Sequence, residues 1–192
     1  MTEILWHGRG GQGAFSAAKI LGAAYSLAGK HALAFPSFGP ERRGAPILAF
    51  TKLDSKPVGD RSQIKKADYV IFLDDTLFSG SAFSEIKEGG KIYINTRKPA
   101  GELIKTVSTG SADENIGNIG DIVGKVITFD ADSLALEILN MPVTNTVMLS
   151  LLARDSSLVS EDELTEAVRG YLPKKIVEKN VLLIKRIFGR TE

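Results

Sequence analysis

The chain has no cysteine among its 192 residues. That excludes a disulfide, a thiolate nucleophile, and any cysteine-ligated iron–sulfur cluster or zinc centre made by this chain alone. Histidine is almost as scarce, with only His7 and His31, so a histidine-rich metal centre would need several carboxylates to complete it. No metal ligand is assigned. Charge of one sign is lacking too: 24 basic and 23 acidic side chains are intermingled, for a formal net charge of +1. No long-range field favours nucleic acid or an anionic membrane, and neither is expected as a partner. No apolar run approaches the roughly 18 residues needed to span a bilayer. The opening MTEILWHG also lacks the basic region and apolar core of a secretory signal. A cytoplasmic protein is expected.

An apolar fraction of 43% and a charged fraction of 24% are those of an ordinary folded domain, not of a disordered chain. The length suits one domain over 1–192, read as an α/β core over 1–158 followed by a helical segment over 159–192. Short β-prone runs fall at Ile4 to Trp6, His31 to Phe35, Ile47 to Leu53, Tyr69 to Leu73, Lys91 to Asn95 and Lys125 to Phe129. Helical spacing falls at Ala14 to Ala28, at Asp75 or Thr76 to Glu88 with Gly89-Gly90 as stop, at Ala131 to Leu139 and at Val143 to Arg154. Alternation of the two predicts a three-layer α/β/α fold with a mostly parallel sheet. The run from Ile47 follows the second strand too closely for a helix to intervene, so that strand is expected to be antiparallel and the sheet mixed. Toward the C-terminus, Ser160 and Glu163 form a capping box, and a second helix from Lys174 to Phe188 carries a broad apolar face. Ser108 to Gly124, rich in Gly, Ser, Asn and Asp, reads as a long mobile loop.

Two stretches carry the functional signal. The first, WHGRGGQG, sets Gly8, Gly10 and Gly13 in a Rossmann-like G-x-G-x-x-G spacing between strand and helix, with Arg9, Gly11 and Gln12 inside it. Such a turn presents unpaired N–H groups at the positive end of a helix, where a phosphate can sit. The dinucleotide fingerprint also asks for an acid about 20 residues on, to hold the ribose. The segment LAGKHALAFPSF has none. An independent nucleotide-dependent oxidoreductase is disfavoured on that ground. The glycines can instead serve tight packing, with Arg9 paired to a carboxylate on a neighbouring subunit. The second stretch, AFPSFGPERRGAPILAF, holds Phe38, Pro40, Glu41, Arg42 and Arg43 in a loop stiffened by proline and glycine. Stiffening lowers the entropy lost on docking, and arginine and aromatic residues are favoured at interfaces. If the chain follows the open α/β rule, both arginine-bearing loops face one crevice. The plain alternative is solvated arginines beside phenylalanines that fill the core edge.

Asp74-Asp75 can bind a cation or, more in keeping with its place, cap the next helix. Asn145, at the start of an apolar helix, can cap it or reach a ligand. His7 shows no partner in the sequence, and no nucleophile–base pair or catalytic residue is identified.

Taken together, HGRGGQGAFSAAKILGAAYSLAGKHALAFPSFGPERRGAPILAF and the later NMPVTNTVMLSLLAR closely resemble the gamma subunit of 2-oxoacid:ferredoxin oxidoreductases, most of all the pyruvate enzymes. The resemblance covers nearly the whole chain. It implies a complex that decarboxylates pyruvate with thiamine diphosphate and Mg, passes electrons through iron–sulfur clusters to ferredoxin, and captures the acyl group on coenzyme A. Alpha, beta and ferredoxin-like delta subunits are the implied partners, and thiamine diphosphate and the clusters belong to them. For this chain the resemblance leaves interfaces, through Phe38, Pro40, Glu41, Arg42 and Arg43, and a seat for coenzyme A or a cleft lining, through Gly8 to Gly13, Arg42, Arg43 and Asn145. A pure interaction module remains the rival, as do related enzymes for branched-chain 2-oxoacids, 2-oxoglutarate or indolepyruvate.

Overall fold

A computed structural model describes residues 1–37, 44–110 and 124–189, the side chains of 108–110 excepted. Among these residues six strands form one sheet: β1 (Thr2–Arg9), β2 (His31–Pro36), β3 (Pro46–Asp54), β4 (Ala67–Phe72), β5 (Ile86–Asn95) and β6 (Val126–Phe129). Their order is β2-β3-β1-β4-β5-β6. Only β3 runs against the rest, pairing antiparallel with both β1 and β2, while β1, β4, β5 and β6 pair in parallel. The mixed sheet expected from the short connection before Ile47 is therefore present.

Among the described residues six helices accompany it: α1 (Ala14–Leu27), α2 (Ala100–Gly110), α3 (Ala131–Leu139), α4 (Asn145–Ser156), α5 (Glu161–Tyr171) and α6 (Lys174–Phe188). Side chains alternate across each strand, so Ile4 and Trp6 join one buried cluster and Leu5 the other. The first cluster collects α1, α3, α4, α5 and α6, including Leu164 and Val168 of α5 and Leu183, Ile184 and Ile187 of α6. Most of the broad apolar face of α6 is thus covered by the chain itself, Leu182 staying 58% exposed. The opposite face has a thinner cover, with Leu103 and Ile104 of α2, Phe78 and Ala82 of two 3-10 turns, and Ile64 of the β3–β4 connection.

Two sequence readings need correction here. Residues from Asp75 do not form one helix. They make short 3-10 turns at Asp75–Leu77 and Gly80–Ser84, and β5 has begun by Ile86. Ser79, Gly80, Ser81 and Ser84 favour turns over helix interior, and edge-on ring contacts Phe72–Phe78 and Phe78–Phe83 hold the turns on the sheet. Gly89-Gly90 is no helix stop either; it lies within β5, where the pairing with β4 shifts register. A Cβ on Gly90 would lie 2.7 Å from the Asp68 carbonyl, so the strands approach this closely only with glycine there. The second correction is an omission, helix α2, which starts after Pro99 and buries Leu103 and Ile104. Of the loop expected over 108–124, residues 108–110 close this helix, and 111–123 lie outside the described residues. The capping box is formed as expected: Glu163 N donates to Ser160 Oγ at 3.2 Å and Ser160 N to Glu163 Oε2 at 2.7 Å.

One charge is buried in the fold away from the glycine turn. Lys52, 1% exposed, donates to Asp60 at 2.5 Å and lies 3.7 Å from Glu3. A buried ammonium is tolerated only with such partners. The Lys52 hydrogen bond, with help from Ser62, holds the Asp60 carboxyl down at about 2.

Candidate functional site

The carboxyl ends of the parallel strands define one edge of the sheet. Arg9 ends β1, Leu73 and Asp74 follow β4, Asn95 ends β5, and Asp130 and Asp132 follow β6. In open α/β sheets this edge, where neighbouring strands send their connections in opposite directions, is where crevices form. Here a cleft of about 230 Å³ opens between Gln12, Leu73, Asp74, Asp75, Asn95, Asp132, Pro142 and Thr144.

The glycine turn borders it, and three of its glycines have separate reasons. At Gly8 a Cβ would stand 3.1 Å from that of Ala14, so glycine lets strand and helix pack closely. Gly11, at φ +97, occupies the third position of a turn closed by Gln12 N donating to the Arg9 carbonyl at 2.9 Å. Gly13, at φ +82, starts α1, and a Cβ there would meet Asn145 Nδ2 at 2.5 Å.

Much of the turn's hydrogen-bonding capacity is spent internally. Arg9 N donates to Gln12 Oε1 at 2.7 Å, and Gly10 N donates to the Ala45 carbonyl at 2.8 Å. Gly44 N in return donates to the Gly10 carbonyl at 3.1 Å. The Arg9 guanidinium is also engaged within the chain: Nε donates to Asp74 at 2.8 Å, one terminal nitrogen to Thr76 Oγ1 at 2.7 Å, the other to the Gly44 carbonyl at 3.2 Å. The carboxylate partner is thus the chain's own Asp74. Burial pushes the Asp74 carboxyl up, but hydrogen bonds from the Thr76 side chain and backbone and from Arg9 outweigh it and hold it below the usual value. Asp74 also caps the first 3-10 turn through Thr76 N, the capping use foreseen for it. Asp75 accepts from Thr96 Oγ1 at 2.7 Å.

Asn145 stands where α4 meets the start of α1. It is 6% exposed, its Nδ2 donates to the Gly13 carbonyl at 3.3 Å, and its buried Oδ1 has no partner among the described residues. His7, unpartnered in the sequence reading, stacks on Phe72 with 4.2 Å between ring centroids and lies 2.8 Å from Glu85. Phe38, Pro40, Glu41, Arg42 and Arg43 lie outside the described residues. The segment they belong to leaves β2 through Ser37, whose N donates to the Leu48 carbonyl at 2.8 Å, and returns at Gly44 against the glycine turn.

Three cleft residues escaped the sequence reading: Asn95, Asp132 and Thr144. The Asn95 side chain donates to the Leu73 carbonyl and Asp132, each at 3.1 Å, and accepts from Ala131 N at 2.9 Å. It thereby ties β4, β5 and α3 together beneath the cleft. The signal was positional: each polar residue stands at or just past a parallel strand, or at the start of a helix returning from one.

Electrostatics decide what the cleft can take. The amino ends of α1, α3 and α4 all approach it, each worth about half a positive charge. Against these and Arg9 stand three carboxylates, Asp74, Asp75 and Asp132. The balance is slightly negative, so a phosphate dianion is not favoured inside the cleft. An anion would have to sit on the outer side of the turn. Among the described residues, no group of three His, Cys, Asp or Glu is placed to hold a metal ion, and no helix is long and apolar enough to cross a membrane.

Residues 3–189 match the family model of pyruvate ferredoxin/flavodoxin oxidoreductase. The chain is 43% identical to pyruvate synthase subunit PorC of Methanothermobacter thermautotrophicus, over 100% of this chain and 97% of the relative. It is 38% identical, with the same coverage, to the common gamma subunit of the pyruvate and ketoisovalerate oxidoreductases of Thermococcus litoralis. Among solved structures, pyruvate oxidoreductase subunit PORC of Thermotoga maritima superposes with a TM-score of 0.78 at 29% identity, covering 97% of this chain and 94% of that one. With the family model matched over nearly its whole length and relatives of matching length at 38–43% identity, the chain belongs to the pyruvate ferredoxin/flavodoxin oxidoreductase family, as a gamma subunit.

Proposed function

We propose that this subunit serves a multi-subunit pyruvate:ferredoxin oxidoreductase that converts pyruvate and coenzyme A to acetyl-CoA and carbon dioxide, reversibly, with reduction of ferredoxin. The full-length correspondence with a pyruvate synthase subunit carries this reading. Alpha, beta and delta subunits supply thiamine diphosphate with Mg and the iron–sulfur clusters, since a chain without cysteine has no thiolates for a cluster. The same relatives include one that serves pyruvate and ketoisovalerate enzymes alike, so branched-chain 2-oxoacids are the second substrate class.

Within that complex the subunit helps seat coenzyme A or closes the active-site cleft over it. The support is a glycine turn at a helix amino end, braced by Arg9 and bonded to Gly44 and Ala45, which follow Arg42 and Arg43 in the chain. Because Arg9 is engaged with Asp74, Thr76 and Gly44, its part is to hold the turn in shape. Contact with phosphate falls to Arg42 or Arg43, whose guanidinium forks suit it. That same engagement of Arg9 favours, as a second reading, a purely architectural subunit whose loops bind only neighbouring chains.

Arg43→Ala in the assembled enzyme separates the two. Under the coenzyme A reading KM for coenzyme A rises about tenfold or more, the worth of one charge-assisted hydrogen bond, while KM for pyruvate stays near wild type. Under the architectural reading assembly yield falls, and whatever assembles shows normal coenzyme A kinetics.

A further inference from the structure

The outer face of α6 concentrates one sign of charge in a chain whose charges otherwise nearly balance. It carries Lys174, Lys175, Lys179, Lys185 and Arg186, all exposed, against one acid, Glu178. A solvated helix face ordinarily interleaves the two signs so that acid and base pair three or four residues apart. Here the position four beyond Glu178 is Leu182, 58% exposed, and Glu178 itself is taken by Arg169 of α5 at 2.7 Å. Arg186 stands 3.9 Å from Glu137, and the lysine side chains of this face have no hydrogen-bond or ion-pair partner among the described residues.

Helix stability does not account for this arrangement. Lys185 and Arg186 suit the negative end of the helix, but Lys174 and Lys175 stand in the first turn, at the positive end, with no acid there and no side-chain cap. Those two weaken the helix where they stand. Leu182 falls at the middle of the face, with Glu178 and Lys179 one turn before it and Lys185 and Arg186 one turn after. An apolar centre ringed by charge is the anatomy of a contact between proteins, in which the central side chain is shut off from water and the rim stays wet. Lipid or nucleic-acid phosphates would use the cations and leave the leucine idle. Nor can one leucine anchor a helix in a bilayer when Val177, Val181, Ile184 and Ile187 are already buried in the fold.

We infer that the outer face of α6 docks on another subunit of the complex, at a surface where acidic side chains surround an apolar recess that receives Leu182. The inference rests on the reading of this chain as one subunit of a multi-subunit enzyme, and it adds the side by which the chain is held. A second copy of this chain is the wrong partner, because a two-fold contact through this face would set like charges against each other. The opposite charge has to come from a different polypeptide. Helix α6 packs on α3, α4 and α5, and none of its residues lines the cleft, so the contact leaves the cleft open. Charge on the rim steers the encounter and weakens as salt rises, while burial of Leu182 holds the pair together.

The test acetylates lysines with an amine-reactive ester in the natively purified complex and in the free full chain, and reads each position by mass spectrometry. Lys175, Lys179 and Lys185 react several-fold more slowly in the complex. A photoreactive side chain introduced as Leu182→p-benzoylphenylalanine cross-links to another subunit, in a peptide where Asp and Glu outnumber Lys and Arg. Leu182→Ala speeds loss of this chain from the diluted complex about tenfold, the worth of most of one buried leucine. Lys179→Glu also speeds it and flattens its dependence on salt; both positions are exposed, so neither variant threatens the fold. Unchanged lysine reactivity in an intact complex overturns the inference and leaves the subunit reading standing. So does a cross-link to a second copy or to a peptide without acidic excess, or both variants staying bound as wild type does. Protection of the same lysines by phosphatidylglycerol vesicles or duplex DNA, and not by the complex, overturns it in favour of a membrane or nucleic acid. Recovery of the chain without any other subunit removes the reading beneath the inference and the inference with it.

Discussion

Replacing Trp6 by alanine should destabilise the fold by about 3–5 kcal/mol, the range for deleting a fully buried aromatic side chain. Trp6 is 0% exposed and sits on the central strand β1, facing the cluster that joins α1 to α3–α6. Its indole N–H donates to Thr51 Oγ1 at 3.1 Å, and the Thr51 hydroxyl donates to the Ala18 carbonyl at 3.3 Å. One side chain thus links β1, β3 and α1. Its loss removes packing and deprives the buried Thr51 oxygen of its donor, and two costs arise together. For a chain of this length the melting temperature should fall by roughly 10 °C, read by far-UV circular dichroism because the substitution deletes the protein's one tryptophan. Trp6→Phe keeps most of the ring volume and should lose less than half as much. Equal losses for the two variants would mean that packing around the ring matters little.

The second large effect is expected at Gly13. Alanine there meets two penalties. A backbone at φ +82 costs a residue with a Cβ about 1–2 kcal/mol. The added carbon would also lie 2.5 Å from Asn145 Nδ2 and 3.0 Å from its Cγ, displacing a buried amide and its bond to the Gly13 carbonyl for about 1 kcal/mol more. A total of about 2–3 kcal/mol follows. Gly11 provides the control: its φ of +97 imposes the backbone cost, but nothing lies within 4 Å of a Cβ there. Gly11→Ala should therefore cost only the first part. In the double variant Gly13→Ala/Asn145→Ala the nearest Asn145 atom left is Cβ at 3.4 Å, an ordinary contact. The two substitutions should then be non-additive in urea denaturation, the pair costing less than the sum. Strict additivity would show that Gly13 and Asn145 do not oppose each other across the loop.

Much of this architecture is legible in the sequence, because local chemistry and tertiary demand agree along most of it. The strands at His31, Ile47 and Lys125, the helices at Ala14, Ala131 and Lys174, and the Ser160 box all carry their own turn, cap or periodic signal. The reading fails where packing overrides propensity. Between Asp75 and Ser84 the apolar spacing suits a helix, yet the aromatic contacts among Phe72, Phe78 and Phe83 settle the chain into two short turns. At Gly89-Gly90 two adjacent glycines read as a helix stop, whereas their use is close approach of β5 to the Asp68 carbonyl. Helix α2 did carry a signal in Pro99 followed by Leu103, Ile104 and Val107, masked by the polar glycine-rich stretch that follows.

The site was half legible. The glycine turn announces itself by spacing, and Asn145 by its polarity at the head of an apolar helix. What spacing does not reveal is that Arg9 turns back on Asp74, sequence neighbours of quite different strands joined only once β1 and β4 lie side by side. Asn95, Asp132 and Thr144 are likewise ordinary residues until the sheet order brings the ends of β5 and β6 and the head of α4 to one edge. Their role is a product of topology, so only a sequence reading that fixed the order of the strands could have named them.

The central claim is that this chain works as one subunit of a larger oxidoreductase. The most direct measurement is affinity purification of the tagged chain from its native cells without oxygen, with the co-purifying polypeptides identified and quantified by mass spectrometry. The account predicts stoichiometric recovery with a cysteine-rich, ferredoxin-like chain and with chains that bind thiamine diphosphate. Recovery of the chain alone, soluble and stable, would contradict it.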